Sequence, residues 1–328
     1  MFRRLLAISV PVAALAAAAA PAGATPAATA TAAATATGFA APGTARHFVT
    51  RWIPFEGHRL YVRDYPGRGP AFVLMHGFPD NLHLYDRLVP LLRGHRTITF
   101  DFLGWGRSDK PRGHTYTFSE QEAELGDVVQ TLRLQRVIPV VHDASGPAGI
   151  NWSLSHSGQV TALVLLNTFY SAMATANPPE AIRLFSDPSF SALAQAIAAN
   201  RSVSRWLYTW QVGRFMSNAT VRDRMLNELW PQFIPSVPAF VSLNRDLGAA
   251  VAADTAEVAK LRAFDRPVRI VWGARDPYLN AGMARSFNAL FANSQLFLLP
   301  ARHYVQVDVP ARVARLLLSV VLGRSQAR

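Results

Sequence analysis

Three residues able to carry out covalent chemistry follow apolar runs in this chain. They are Asp143 after VIPVV (137 to 141), Asp276 after PVRIVWG (267 to 273) and His303 after QLFLLP (295 to 300). A carboxylate can attack carbon and form an ester. A histidine can then activate water, and a second carboxylate can orient that histidine. Each residue also has a plainer role open to it. Asp143 could cap the helix that the following ASGPAG would open. Asp276 before Pro277 could start a turn, and His303 could be a buried histidine with its hydrogen bonds met. Their occurrence together, in this order, is what favours chemistry.

Nucleophile, then acid, then histidine is the chain order of enzymes whose nucleophile sits on a sharp strand-to-helix turn. Small residues must flank the nucleophile there. Ser145 and Gly146 meet that need downstream of Asp143, whereas Val141 upstream is larger than the usual glycine. The chain contains no G-x-S-x-G. Ser145 fits worse as the nucleophile, because Asp143 and Pro147 would be its flankers and it would lie too deep in the helix. Asp143 is therefore the expected nucleophile.

Continuous apolar runs place these residues at strand ends. AFVLM (71 to 75), TITFD (97 to 101), VIPVV, VTALVLLN (160 to 167), PVRIVWG and QLFLLP read as strands covered on both faces. Helical patterns are expected after each of the first two, and the one at 117 to 133 opens with Thr117 and Glu120 in capping-box spacing. TRWIPF and HRLYVRDY read as an antiparallel pair around Gly57. The alternation predicts an α/β fold, a mostly parallel central sheet with helices on both faces, built from residues 46–168 and 263–328. Residues 169–262 show only helical patterns carrying Phe185, Trp206, Tyr208, Trp210, Phe215, Trp230 and Phe233. Such an insertion reads as a helical cap domain over the ligand-binding edge of the sheet.

Half of the residues are apolar and 16% charged, which excludes a disordered chain. Residues 1–24 read as an export signal: Arg3 and Arg4, the apolar LLAISVPVAALAAAAA, then Ala22-Gly23-Ala24 for cleavage. Residues 25–45, nearly all Ala, Thr, Pro and Gly, read as a flexible leader. The expected location is periplasmic or extracellular, with no stable membrane insertion once the signal is removed. The net charge is +12, but arginines are scattered and only Lys110 and Lys260 are lysines, so no nucleic-acid partner is implied. The absence of Cys excludes disulfides, a Cys nucleophile and thiolate metal sites. Nothing in the sequence specifies an oligomeric state.

With HGFP (76 to 79), DFLGWGRSDKP (101 to 111), HD (142 to 143), GARDP (273 to 277) and the late His303 all in order, the chain resembles the α/β-hydrolase superfamily. The likeness is to its epoxide hydrolase and haloalkane dehalogenase branch and covers roughly residues 50 to 325. That resemblance implies an α/β-hydrolase fold, a small apolar substrate, and neither cofactor nor metal. It implies Asp143 as nucleophile, His303 as the base oriented by Asp276, and the backbone N–H groups of Phe78 and Ala144 as the oxyanion hole.

Two departures bear on the leaving group. The branch usually places Trp after the nucleophile, and the dehalogenases use its N–H to hold the halide. Here that residue is Ala144, and Phe78 stands where an Asn would help, so neither side chain donates. Epoxide opening instead calls on tyrosines of the cap, for which Tyr208 and Tyr170 are the candidates. The expected function is an exported, cofactor-independent epoxide hydrolase. A haloalkane dehalogenase with an atypical halide site and a non-catalytic binder of small ligands are the alternatives. His76 and His142 are expected to serve in structural hydrogen bonds, Gly104-Trp105-Gly106 to form a turn, and Asp101 to anchor it.

Overall fold

The computed structural model describes residues 46–322. The export-signal reading of residues 1–24 and the leader reading of 25–45 lie outside the described residues.

β1 (Val49–Phe55) and β2 (His58–Tyr65) form the expected antiparallel hairpin. Its two-residue loop, Glu56-Gly57, has positive φ at both positions, the tight turn whose twist matches the flanking strands. The chain continues through β3 (Arg68–Met75), β4 (His95–Phe100), α1 (Phe118–Thr131), β5 (Val137–Asp143), α2 (Gly146–Ser155) and β6 (Leu163–Thr168). Six helices follow with no strand between them: α3 (Glu180–Ser186), α4 (Ser191–Ala199), α5 (Arg201–Gly213), α6 (Ala219–Phe233), α7 (Val237–Ala256) and α8 (Val258–Ala263). β7 (Val268–Gly273), α9 (Ala281–Leu290), β8 (Ser294–Leu299), α10 (Val305–Asp308) and α11 (Pro310–Leu322) complete the described chain.

The eight strands form one sheet in the order β1-β2-β4-β3-β5-β6-β7-β8, parallel from β4 onward. Alternate residues of the central strands feed two cores. Val73, Met75, Val141, Leu165 and Ile270 pack on the face covered by α1, α2 and α9. Phe72, Leu74, Val140, Val164 and Val271 pack on the other, with Val313 and Leu317 of α11. Each such side chain contributes roughly 1.5–3 kcal/mol of burial, which is why these strands read as unbroken apolar runs. Because β4 to β8 are parallel, their carboxyl ends share one edge, and the segments leaving that edge carry the candidate residues.

One expectation fails locally. No α-helix follows β3; two short 3-10 turns, Leu82–Tyr85 and Val89–Leu92, take its place. Asp101 claims the N–H of Leu82, Asn81 claims that of His83, and Pro90 has none to offer, so a longer helix is not propagated. At α1 the capping box is half formed. Thr117 accepts the N–H of Glu120 at 3.1 Å, but the Glu120 carboxylate turns to His114 at 2.5 Å. Among the described residues, no helix is long and apolar enough to cross a membrane.

Candidate active site

Asp143 ends β5 with φ +50°, a conformation uncommon for a residue with a side chain and retained only where the surroundings impose it. The surroundings here are tight. A Cβ on Gly77 would lie 2.5 Å from the Asp143 Cβ, and one on Gly146 would lie 2.1 Å from the Phe169 carbonyl oxygen. The missing upstream glycine is explained in the same way. A Cβ on Gly149 would meet the Val141 side chain at 2.2 Å, so a glycine one turn into α2 makes the room that Val141 uses. Ser145 is buried, its Oγ within 2.8 Å of the His142 carbonyl, 3.1 Å of that of Met75 and 2.9 Å of the His142 N–H. Its hydroxyl is occupied in holding the turn, and it makes no side-chain cap to α2.

The Asp143 carboxylate faces the backbone and His303. Its Oδ2 accepts the Phe78 N–H at 2.8 Å, and the Ala144 N–H also bonds the carboxylate. Its Oδ1 lies 3.6 Å from His303 Nε2. Burial drives the Asp143 pKa up; His303 and the two N–H groups oppose this without cancelling it. His303 Nδ1 donates to Asp276 Oδ2 at 2.7 Å. Burial disfavours the imidazolium, but Asp276, its hydrogen bond, Asp143 and Asp80 outweigh that and hold the His303 pKa above its ordinary value. Asp276 is itself fixed: Oδ1 accepts the N–H groups of Tyr278 at 2.9 Å and Leu279 at 3.2 Å. Residues 160 positions apart in sequence thus form one hydrogen-bonded constellation on the sheet edge.

Above it lies a predominantly apolar cavity, partly open to solvent. Asp143, His303 and Phe78 line it from the strand ends, and Ile197, Leu207 and Tyr208 line it from the helical insertion. Most polar side chains of the lining are already engaged. Ser204 donates to the Ile197 carbonyl, Gln211 bonds Ala181 and Tyr278, and Tyr278 donates to Glu180. The hydroxyl of Tyr208 is buried and has no partner. Burial, with the nearby Asp80 carboxyl, pushes its pKa well up, so it is a proton-bearing phenol. The Trp105 indole N–H is also buried and unpartnered, but Trp105 lies behind Phe78, stacked at 5.7 Å, and is not part of the lining. Among the described residues, no group of three or more His, Asp or Glu side chains is placed to hold a metal ion.

The family model for the α/β-hydrolase fold matches residues 70–310. The chain belongs to that family. Curated relatives of this α/β hydrolase include haloalkane dehalogenase 2 of Mycobacterium bovis, 26% identical over 279 residues, spanning 81% of this chain and 93% of the relative. A fluoroacetate dehalogenase of a Burkholderia species is 37% identical over 106 residues, 31% of this chain and 35% of that one. Among solved structures, the haloalkane dehalogenase DatA of Agrobacterium tumefaciens C58 shares the fold, with a TM-score of 0.71 and 21% identity over 86% of this chain and 98% of DatA. Both of these relatives and DatA are named as dehalogenases.

Within this α/β hydrolase, Tyr170 is not where the sequence reading placed it. Its hydroxyl donates to Asn151 Oδ1 of α2 at 2.7 Å, and the residue does not line the cavity. The chain turns as it leaves β6, and the ring packs down toward α2, near the acidic side chains of Asp254, Glu257 and Glu122. As a candidate proton donor Tyr170 is therefore withdrawn. His76 accepts the Phe102 N–H at Nε2 and faces the Gly77 carbonyl at Nδ1. His142 is buried with its ring 4.7 Å from that of His303, and burial keeps it neutral. Asp101 braces the 104–106 turn by accepting the Arg107 N–H at 2.8 Å.

Two residues escape the sequence reading. Asn167, with φ +29°, donates to Asp276 Oδ2 at 2.9 Å and accepts the Gly273 N–H at 2.7 Å, which locks the acid to its strand. The only signal was a polar residue closing the apolar run VTALVLLN. Asp80, the last residue of HGFPD, is buried with Oδ1 accepting the Tyr304 hydroxyl at 2.8 Å and Oδ2 without a partner. Burial outweighs that hydrogen bond and, with Asp143 nearby, raises its pKa to about 8.

Proposed function

We propose that this hydrolase is exported and opens epoxides through a covalent ester on Asp143. The observation that carries the reading is the carboxylate of Asp143, bonded by two backbone N–H groups, that of Phe78 on Oδ2, with Oδ1 beside His303. That geometry suits a nucleophile. Oδ1 attacks an epoxide carbon, the ring C–O bond breaks, and the Tyr208 hydroxyl protonates the departing alkoxide. His303 then takes a proton from water, whose oxygen adds to the Asp143 carboxyl carbon. The oxyanion forms on Oδ2, between the N–H groups of Phe78 and Ala144. Collapse expels the diol oxygen, which takes the proton from His303, and the proton left on the Asp143 acid returns to the Tyr208 phenolate. The helical insertion acts as a cap that keeps bulk water from the ester.

An epoxide is favoured because Tyr208, whose buried hydroxyl has no partner, is one of the cavity's lining residues, and neither Phe78 nor Ala144 has a side-chain donor. A basic alkoxide needs an acid, whereas a halide needs several hydrogen-bond donors. Haloalkane hydrolysis at the same Asp143 is the second reading, and the names of the relatives favour it. Matched epoxide and bromoalkane substrates of equal carbon skeleton separate the two. Diol formation with little bromide release is expected, and faster bromide release would replace the first reading by the second. Turnover of neither across a panel of sizes would favour a non-catalytic binder.

Export rests on the signal-like residues 1–24. Edman sequencing of the protein recovered outside the cytoplasmic membrane is expected to start at Thr25. A mature form retaining Met1 would reject export by signal cleavage.

A further inference from the structure

The helical insertion has an outer face that its position over the cavity does not explain. Val203, Trp206 and Trp210 stand at i, i+3 and i+7 on one face of α5, all exposed, with Trp206 64% exposed. The two indoles stack with centroids 6.1 Å apart. Phe190 and Leu193, the latter 52% exposed, add to the surface at the start of α4, which packs against α5. Soluble monomers rarely leave so much aromatic and aliphatic surface uncovered without a use for it. The opposite face of α5 is the cavity wall, with Leu207 and Tyr208.

The charge around this face has one sign. From Pro188 to Arg222 there is no Asp or Glu, while Arg201, Arg205, Arg214 and Arg222 are all present. Arg201 and Arg205 lie one turn apart on the exposed surface of α5, at the other edge of its exposed arc from the apolar row, and Arg214 stacks on Trp210 at 4.7 Å. The nearest acids in sequence are engaged: Asp187 caps the turn of Ser189, Glu180 accepts from Tyr278 and pairs with Arg214 at 3.5 Å, and Asp223 pairs with Arg222 at 2.8 Å, which leaves Arg201 and Arg205 as the unpaired cations of α5. Exposed indoles together with Arg201 and Arg205, neither of which is in an ion pair among the described residues, match an anionic lipid interface, where the ring lies at headgroup depth and each cation meets a phosphate. A symmetric pairing of two copies through this face would set arginines against arginines. We infer that the α4–α5 face docks on anionic lipid surfaces. Docking would hold the apolar cavity where apolar substrates concentrate.

The chain has no Cys, so one introduced thiol reports a single place. Ala199→Cys, at the exposed end of α4, and Ala292→Cys, at the opposite end of the sheet, would each carry an environment-sensitive fluorophore on the full chain. Vesicles of phosphatidylglycerol and phosphatidylcholine are expected to shift the Ala199 probe to the blue and leave the Ala292 probe unchanged. Pure phosphatidylcholine vesicles should do much less. Arg201→Gln with Arg205→Gln is expected to weaken partitioning by about thirtyfold. Trp206→Ser with Trp210→Ser should weaken it by roughly tenfold or more. All four residues are exposed, so thermal unfolding should be unaltered in both variants. A silent Ala199 probe on anionic vesicles overturns the inference, even if the chain cosediments through another segment. So does wild-type partitioning by either double variant, or a probe shift that needs no lipid and grows with protein concentration, which would mean self-association.

Discussion

Replacing His303 with Gln is expected to stop this enzyme half-way, with the substrate left esterified to Asp143. Attack by Asp143 needs its carboxylate ionised and placed. Placement survives loss of the imidazole, because the Phe78 and Ala144 N–H groups still bond the carboxylate. Loss of the His303 charge moves the Asp143 pKa further up, so the adduct should be sought on the alkaline side. Hydrolysis of the ester does not survive loss of the imidazole, since no other base stands 3.6 Å from Oδ1 among the described residues. Turnover should fall by roughly 10²- to 10⁴-fold, the scale for losing a general base. Intact mass should show an adduct of one substrate, and peptide mapping should place it on Asp143. An adduct on Ser145, or an Asp143→Ala variant that still turns over, would end the assignment. The pH dependence of the wild type follows from the same contacts. The base acts only when neutral, and its pKa is held above the ordinary histidine value, chiefly by Asp276. Ester hydrolysis should therefore slow as pH falls through that raised value and reach its plateau only above it. Asp143, also raised, must be ionised to attack, so ester formation fades on the acid side as well. The residual rate of His303→Gln should lose the histidine-dependent limb.

Tyr208→Phe is expected to slow ring opening by roughly 10²- to 10⁴-fold while leaving hydrolysis of the Asp143 ester nearly unchanged. The alkoxide released from an epoxide is strongly basic in an apolar cavity, and Tyr208, a residue of the cavity wall, has a hydroxyl with no partner. Phe keeps the ring packing against Trp230 and Phe233 and removes only the oxygen. A buried hydroxyl without a partner costs roughly 1–3 kcal/mol, so the variant should unfold at a higher temperature while reacting more slowly. That opposite movement separates a catalytic hydroxyl from a structural one. Pre-steady-state mixing should show the loss in the ester-forming phase. Tyr170→Phe should leave that phase alone, because its hydroxyl is committed to Asn151. An unchanged ester-forming rate in Tyr208→Phe would remove the proposed acid.

The order Asp143, Asp276, His303 and the strands that carry them were legible in the sequence alone. Strands covered on both faces must be apolar throughout, and a chemically active residue at the end of each such run is a local pattern. The elbow was legible for the same reason, since small residues beside a sharp turn are a local steric demand. What makes room for Val141 was not, because Gly149 lies on the following helix and meets it only after α2 packs on β5. Asn167 and Asp276 are 109 residues apart, and Asp80 and Tyr304 are 224 apart. No local periodicity records such pairs, whose contact exists only once β6 lies beside β7 and the 80 and 304 segments converge on the same sheet edge. The two tyrosines show the same division. Both are aromatic residues in or near the insertion, and the sequence names Tyr208 as the donor with Tyr170 able to share the role. Only the packing of the folded chain turns Tyr170 down toward Asn151, which accepts its hydroxyl, and sets Tyr208 in the cavity wall with its ring against Trp230 and Phe233.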